Sequence, residues 1–144
     1  MTGKPSEESY RGIEIHHLGD PGGADEKGWV LFPWKGRHPP IETATCHIVY
    51  IKPGKTRGNH FHPQAAEWLC TIEGEGLLQW RSPGEDTVHE LHLEQKRLCI
   101  RIPPGIRHAV TNTGDGEMLI FAAREQSPQG DQTVQEEVST ECQS

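Results

Sequence analysis

Two histidines and a glutamate lie within eight residues of one another in the segment 54–74, which constrains the chain more than any other. Side chains two positions apart in a strand point to the same face, so His60 and His62 can reach one centre. Glu67 lies an odd number of residues after His62 and would face away in a continuous strand. Pro63 interrupts that strand, because its φ is fixed and it has no N–H to donate. The pattern therefore predicts two imidazoles and one carboxylate around a divalent metal.

A second segment, residues 103–112, places His108 just after a Pro-Pro-Gly turn. The two segments read G-x5-H-x-H-x4-E-x6-G and P-x-G-x2-H-x3-N. Together they resemble the paired signature of the cupin superfamily, in which three histidines and one glutamate bind a divalent metal inside a small β-barrel. The resemblance spans roughly residues 45–122, and Arg97 stands where the second family motif usually begins with glycine.

The resemblance implies an all-β fold, a single cupin barrel of the double-stranded β-helix or jelly-roll type. It also implies that one divalent metal ion is bound by His60, His62, Glu67 and His108. Three nitrogens and one oxygen suit Fe, Mn, Zn, Ni, Co or Cu, and the general order of affinities does not identify the native ion. Four protein ligands leave one or two positions open for a substrate. The sequence does not identify the catalytic residues.

Arg57 lies three residues before the first histidine, in the run Arg-Gly-Asn-His. This run is similar to the Arg-Gly-x-His motif of the dTDP-sugar 3,5-epimerases, a cupin branch in which the arginine contacts nucleotide phosphate and the histidine acts as base without metal. The C-terminal cupins of capsule-biosynthesis reductases carry a closely similar Arg-Gly-x-His-x-His run and bind metal. The metal-binding branch fits better here, because the ligand set is complete. Arg57 is then a candidate contact for a substrate anion, and a structural ion pair is its alternative role.

Three functional hypotheses follow. The first is a metal-dependent enzyme, either an isomerase or epimerase or a dioxygenase, acting on a small polar or anionic molecule such as a sugar derivative. The second is a non-catalytic, metal-dependent module that binds or senses a small molecule. The third is a metal-free sugar epimerase. Cupins support many chemistries on one scaffold, so the fold does not choose among them.

Charge and composition narrow the class of partner. The 144 residues carry a formal net charge of −7, which argues against nucleic acid or an anionic membrane surface as a partner. There is no apolar run of eighteen residues that could span a bilayer, and the first nine residues lack the apolar segment of a signal peptide. We therefore expect a cytoplasmic protein with a small-molecule ligand.

The composition divides the chain into three parts. Residues 1–12 are polar and charged and are expected to be flexible, residues 13–124 form the cupin domain, and residues 125–144 form a flexible tail poor in apolar side chains. Glycine and proline between residues 13 and 40 predict an irregular N-terminal arm rather than a helix.

Strand-like runs recur every eight to twelve residues with turn signals between them, which predicts a sandwich or barrel. Residues 67–72 and 77–81 are expected to pair as a hairpin across two glycines, and residues 87–93 and 97–102 as another.

Large aromatic side chains are numerous for one small barrel: Trp29, Phe32, Trp34, Trp68 and Trp80. The first three are expected to cover one end of the barrel, and the alternatives are a lid over the ligand pocket or a strand exchanged between subunits. An isologous homodimer would cover part of this apolar surface.

The four cysteines, Cys46, Cys70, Cys99 and Cys142, are expected to be free thiols in a reducing compartment, with the first three buried. His47 alternates with apolar residues on one face of a predicted strand and is a candidate neighbour of the metal ligands.

Overall fold

The computed structural model describes residues 6–18, 22–31, 33, 43–94, 98–130 and 132–139. Over these residues the chain is built from strands and turns, and no helix in them could cross a membrane. The strands are β1 (Ser6–Tyr10), β2 (Ile13–His17), β3 (Gly22–Asp25), β4 (Gly28–Val30), β5 (Thr43–Ile51), β6 (Thr56–Phe61), β7 (Glu67–Glu73), β8 (Gly76–Arg81), β9 (His89–Leu93), β10 (Leu98–Ile102), β11 (Arg107–Asn112), β12 (Met118–Glu125) and β13 (Val134–Gln135).

The strands form two large antiparallel sheets and one small one. The six-stranded sheet has the order β1-β2-β10-β7-β12-β5, the five-stranded sheet has the order β13-β6-β11-β8-β9, and β3 pairs with β4. No hydrogen-bonded ladder among the described strands joins the two large sheets, so the predicted barrel is corrected to an open two-sheet jelly roll. The all-β jelly roll itself is as predicted.

The main hydrophobic core lies between the two large sheets. Alternate residues of several strands enter it, as the two-residue period of a strand requires, for example Leu78 and Trp80 from β8. Trp80 is fully buried, and its indole N–H donates to the carbonyl oxygen of Arg11 at 2.9 Å. Trp68 belongs to a second, smaller buried cluster with Cys70 and Cys99.

Both predicted hairpins are wrong, because each pair of strands is divided between the two sheets. β7 and β10 lie in the six-stranded sheet, whereas β8 and β9 lie in the five-stranded sheet. Between β7 and β8, Gly74 has a φ of 86° and passes so close to Glu117 that a Cβ would lie 2.6 Å from the Glu117 carbonyl oxygen. Such glycines indicate a tight reversal but do not indicate which sheet the next strand joins.

The N-terminal region differs from the prediction of flexible and irregular chain. β1 and β2 extend the six-stranded sheet, and Ile13 and Ile15 of β2 are buried in the main core. Ile13 and Ile15 alternate with Glu14, which is a strand pattern. The prediction of flexible chain relied instead on the polar composition of the surrounding residues. Trp29 of β4 is exposed, at 38%, and Phe32 and Trp34 lie outside the described residues.

The C-terminal region also differs from the predicted flexible tail. β13 pairs with β6, and Val138 is only 3% exposed. Residues 140–144, which include Cys142, lie outside the described part. Cys70 and Cys99 are buried and form no disulfide, as expected, but Cys46 is exposed, because it lies on the face of β5 that also exposes Ile48 and Tyr50.

Candidate metal centre

The four predicted ligands converge between the two sheets. His60 lies near the end of β6 and faces His108 on the adjacent β11, His62 follows β6 directly, and Glu67 opens β7 in the opposite sheet. Their nitrogen and oxygen ligand atoms all lie within 4.8 Å of one another. Gly58 permits this packing, since a Cβ there would lie 2.8 Å from the carbonyl oxygen of His108.

Backbone carbonyl groups orient two of the imidazole rings. Nδ1 of His108 lies 3.0 Å from the carbonyl oxygen of Ile106, and Nδ1 of His62 lies 3.1 Å from that of Gln132. A carbonyl oxygen can only accept a hydrogen bond, so each Nδ1 carries the proton and donates. In the neutral rings, the Nε2 atoms then present their lone pairs to the centre of the cluster.

Both Nε2 atoms face the Glu67 carboxylate. Nε2 of His108 lies 3.2 Å from Oε1, and Nε2 of His62 lies 3.2 Å from Oε2 without the geometry of a hydrogen bond. Burial alone would raise the pKa of Glu67, but its contacts with His108 and His62 outweigh burial and hold that pKa well below the usual range. Lone pairs facing a buried carboxylate repel one another unless positive charge lies between them, as added protons or a metal ion. The donor set therefore fits a divalent cation.

His60 is the most accessible of the four ligands. It is half-buried, and its ring centroid lies 4.9 Å from that of His62 and 4.8 Å from that of His108. Burial, followed by the charges of these two histidines, lowers the pKa of His60 to about 4. The imidazole is thus neutral at neutral pH, which is the form that ligates a metal or accepts a proton.

Arg124 is a residue of the site that no sequence motif singles out. Its Nε lies 3.3 Å from Oε2 of Glu67, because β12 pairs with β7 in a register that sets the two residues opposite each other. Spacing along the chain does not reveal such a pairing. Only the strand order brings this cation to the carboxylate.

A cavity of about 700 Å³ opens beside the ligands and is lined by both sheets. His60, Glu67 and His108 contribute to its wall. Arg57 and Arg124 line the same cavity, one from each large sheet, so two guanidinium groups border the space that the ligands also border. Arg57 is exposed, as a residue that meets an incoming anion must be before the ligand binds.

Two further titratable residues, His47 and Tyr50 of β5, border the cavity. The Tyr50 hydroxyl donates to Glu117 at 2.9 Å, and this hydrogen bond raises the pKa of Tyr50. His47 lies outside the four-residue ligand group. The structure therefore places His47 in the cavity, beside the candidate metal site rather than within it.

Comparison with known proteins locates this fold in one family. The sequence profile described as "Polysaccharide biosynthesis C-terminal domain" matches residues 25–132. No curated protein sequence matches the chain at a significant level. The capsular polysaccharide assembling protein CapF from Staphylococcus aureus superposes with a TM-score of 0.60 at 21% identity, over 94% of this chain and 32% of CapF. The chain thus spans about a third of the length of CapF.

Two other structures match over most of both chains. One is a point mutant of the 3,4-ketoisomerase QdtA from Thermoanaerobacterium thermosaccharolyticum in complex with TDP-4-keto-6-deoxyglucose, with a TM-score of 0.65 and 17% identity over 85% of this chain and 87% of QdtA. The other is RmlC from Streptococcus suis in complex with dTDP-D-xylose, with a TM-score of 0.69 and 14% identity over 86% of this chain and 71% of RmlC. At these identities the likeness establishes the fold, and it confirms the predicted cupin jelly roll.

Proposed function

Because the chain belongs to the polysaccharide biosynthesis C-terminal domain family, we propose that it is a metal-dependent isomerase or epimerase acting on a nucleotide-linked sugar. The observation that carries this proposal is the shared cavity, where the ligand cluster and two arginines border one space. The ligands bound to QdtA and RmlC, TDP-4-keto-6-deoxyglucose and dTDP-D-xylose, support a sugar attached to a nucleotide as the ligand class.

The residues divide into three roles, the first two of which are metal binding and anion binding. His60, His62, Glu67 and His108 would hold one divalent ion, which supplies Lewis-acid polarisation of a substrate oxygen when bound. Arg57 binds the anionic part of the substrate, since a guanidinium offers paired donors to a phosphate.

The third role is proton transfer, which isomerisation or epimerisation next to a carbonyl requires. His47 is the candidate, because it lines the cavity but is not one of the four ligands. The hydroxyl proton of Tyr50 is already donated to Glu117.

The proposal is tested by measuring exchange of the substrate protons next to the keto group. Metal-loaded protein is incubated in D₂O with TDP-4-keto-6-deoxyglucose, and NMR measures deuterium incorporation at the carbons adjacent to the keto group. We expect incorporation that stops after treatment with a chelator and returns when metal is added. No incorporation with any of the six candidate metals would contradict the proposal.

A metal-free epimerase is the second candidate, and one observation favours it. Arg57 and His60 line the same cavity, as the resemblance of Arg-Gly-Asn-His to the epimerase motif requires. His60 would then act as the base. Deuterium incorporation that persists after complete metal removal would select this candidate. The structures of CapF, QdtA and RmlC give no support to a dioxygenase or a non-catalytic sensor.

Assembly and location stay predictions. β5 is an edge strand of the six-stranded sheet and exposes Ile48 and Tyr50, at 59% and 43%. A homodimer that covers this edge is expected, and light scattering at micromolar concentration measures it. The cytoplasm is the compartment expected from the sequence.

A further inference from the structure

Residues 132–139, here called the C-terminal strap, run along the outer edge of the five-stranded sheet beside the first metal ligand. Val134 and Gln135 pair with Phe61 and His60 of β6. Beyond this pairing, the backbone N–H of Glu136 donates to the carbonyl oxygen of Asn59 at 2.9 Å. The backbone N–H of Val138 donates to the Asn59 side-chain oxygen at 3.1 Å. The strap thus continues the sheet next to His60.

Two arginines on adjacent strands anchor the strap. The Glu136 carboxylate accepts hydrogen bonds from Arg107 and from Nη2 of Arg81, the latter at 3.2 Å. Nε of Arg81 also donates to the carbonyl oxygen of Val138 at 2.8 Å, and Nη2 to that of Glu137 at 3.1 Å. Arg81 is buried, so displacement of the strap would leave most of its donors without protein partners.

The strap also contacts a metal ligand. The carbonyl oxygen of Gln132 lies 3.1 Å from Nδ1 of His62, and the Thr133 hydroxyl lies 3.3 Å from the same nitrogen. The carbonyl contact keeps the proton on Nδ1, which leaves the lone pair of Nε2 directed at the ligand cluster. Gln135 further contributes to the cavity wall.

We propose that the C-terminal strap orients one ligand of the metal centre. Glu136, bound by Arg81 and Arg107, is a positioning residue that keeps the carbonyl oxygen of Gln132 in contact with Nδ1 of His62. This inference rests on the proposed metal site. It extends that site to residues beyond the matched profile, which ends at residue 132. Glu136 touches neither metal nor substrate and acts only through the backbone that it anchors.

The test compares two substitutions in the full chain, Glu136→Ala and Glu137→Ala. Both remove one negative charge from the strap, but the contacts of Glu137 described above use its carbonyl oxygen and not its carboxylate. Competition with a chelator measures Zn²⁺ affinity, and ¹⁵N NMR of the metal-free protein reads the tautomer of His62. Glu136→Ala should weaken Zn²⁺ binding by about 10- to 100-fold, the range for groups that orient ligands, and should mix the two tautomers. Glu137→Ala should leave both measurements as in the wild type.

Each outcome decides one point. Wild-type tautomer and Zn²⁺ affinity in Glu136→Ala would overturn the inference, and so would equal losses in both variants. A wild type that binds no Zn²⁺ would overturn the proposed metal site. The His62 tautomer in the two variants would then still decide whether the strap orients that ring. Glu136→Gln, which keeps the side-chain size, replaces the alanine variant if the latter does not fold.

Discussion

The ligand cluster and the C-terminal strap meet at His62, but different interactions hold them. The ligands of the cluster lie on or next to three strands of the two sheets, and strand pairing fixes their backbone. The strap lies at a sheet edge, where two paired residues, hydrogen bonds with Asn59 and Arg81, and the ion pairs of Glu136 hold it. Pairing inside a sheet persists over a wide range of pH and salt, whereas a solvent-accessible ion pair weakens as either changes. Docking of the strap is therefore expected to depend more strongly on pH and salt than the strand pairing that holds the backbone of the cluster.

The largest expected effect comes from removing ligands. The double variant His60→Ala, His62→Ala should lose bound metal completely, because two of four donors are gone. Elemental analysis of protein purified without a nickel column measures the metal per chain. Equal metal in the variant and the wild type would show that the ion binds elsewhere.

The same double variant also tests whether the strap is held independently of the ligand cluster. β13 pairs with β6 through backbone groups, so the strap should stay docked when the imidazoles are removed. Hydrogen exchange at the Val138 amide reports docking. Fast exchange at Val138 in this variant would show that the two regions are not held independently.

Replacement of His47 tests whether a residue outside the ligand cluster transfers the proton. If His47 moves the proton, His47→Gln should lower kcat by about 10²- to 10⁴-fold, the usual contribution of a general acid or base. Metal content should not change, since His47 is outside the ligand group. A variant that exchanges deuterium at the wild-type rate would remove His47 from the mechanism.

Arg57 separates binding of the substrate from binding of the metal. Arg57→Ala should weaken an anionic substrate by about 1.5 to 3 kcal/mol, the value of a charged hydrogen bond, without loss of metal. Arg57→Lys should restore only part of this, because an ammonium group cannot form the paired contact. Calorimetry with TDP on metal-loaded protein measures it, and wild-type affinity in Arg57→Ala would leave Arg57 a structural role.

The sequence predicted which four side chains would lie together, but it did not predict the residues that surround them. His60, His62 and Glu67 follow from local spacing, because a strand and a proline fix where nearby side chains point. Arg124 reaches Glu67 only through the register of two strands distant in the sequence. Gln132 acts through its backbone carbonyl, which no residue type encodes.

Contacts between residues distant in the sequence also explain why the hairpins and the C-terminal tail differ from the predictions. Turn residues predict that the chain reverses but not whether the next strand crosses to the other sheet. The tail has few apolar residues, and composition alone could not show that Val138 is buried or that Glu136 meets two arginines. Docking depends on a surface that the rest of the fold creates.

Acidification provides the smallest and most selective effect, because it acts on the strap through Glu136. The hydrogen bond from Arg107, reinforced by Arg81, lowers the pKa of Glu136 below its ordinary value despite the opposing effect of burial. A carboxyl group whose pKa is lower when docked stabilises the docked state fully above its undocked pKa of about 4.3. That stabilisation is lost as the pH falls from there through the docked pKa.

The docked fraction of the strap should therefore decrease below about pH 4 in the wild type. Glu136→Gln, which does not titrate, should show no such step. Hydrogen exchange at Val138, corrected for the intrinsic rate at each pH, measures the docked fraction. Identical pH profiles for the two proteins would mean that the backbone contacts with Asn59 and Arg81 hold the strap without help from the carboxylate.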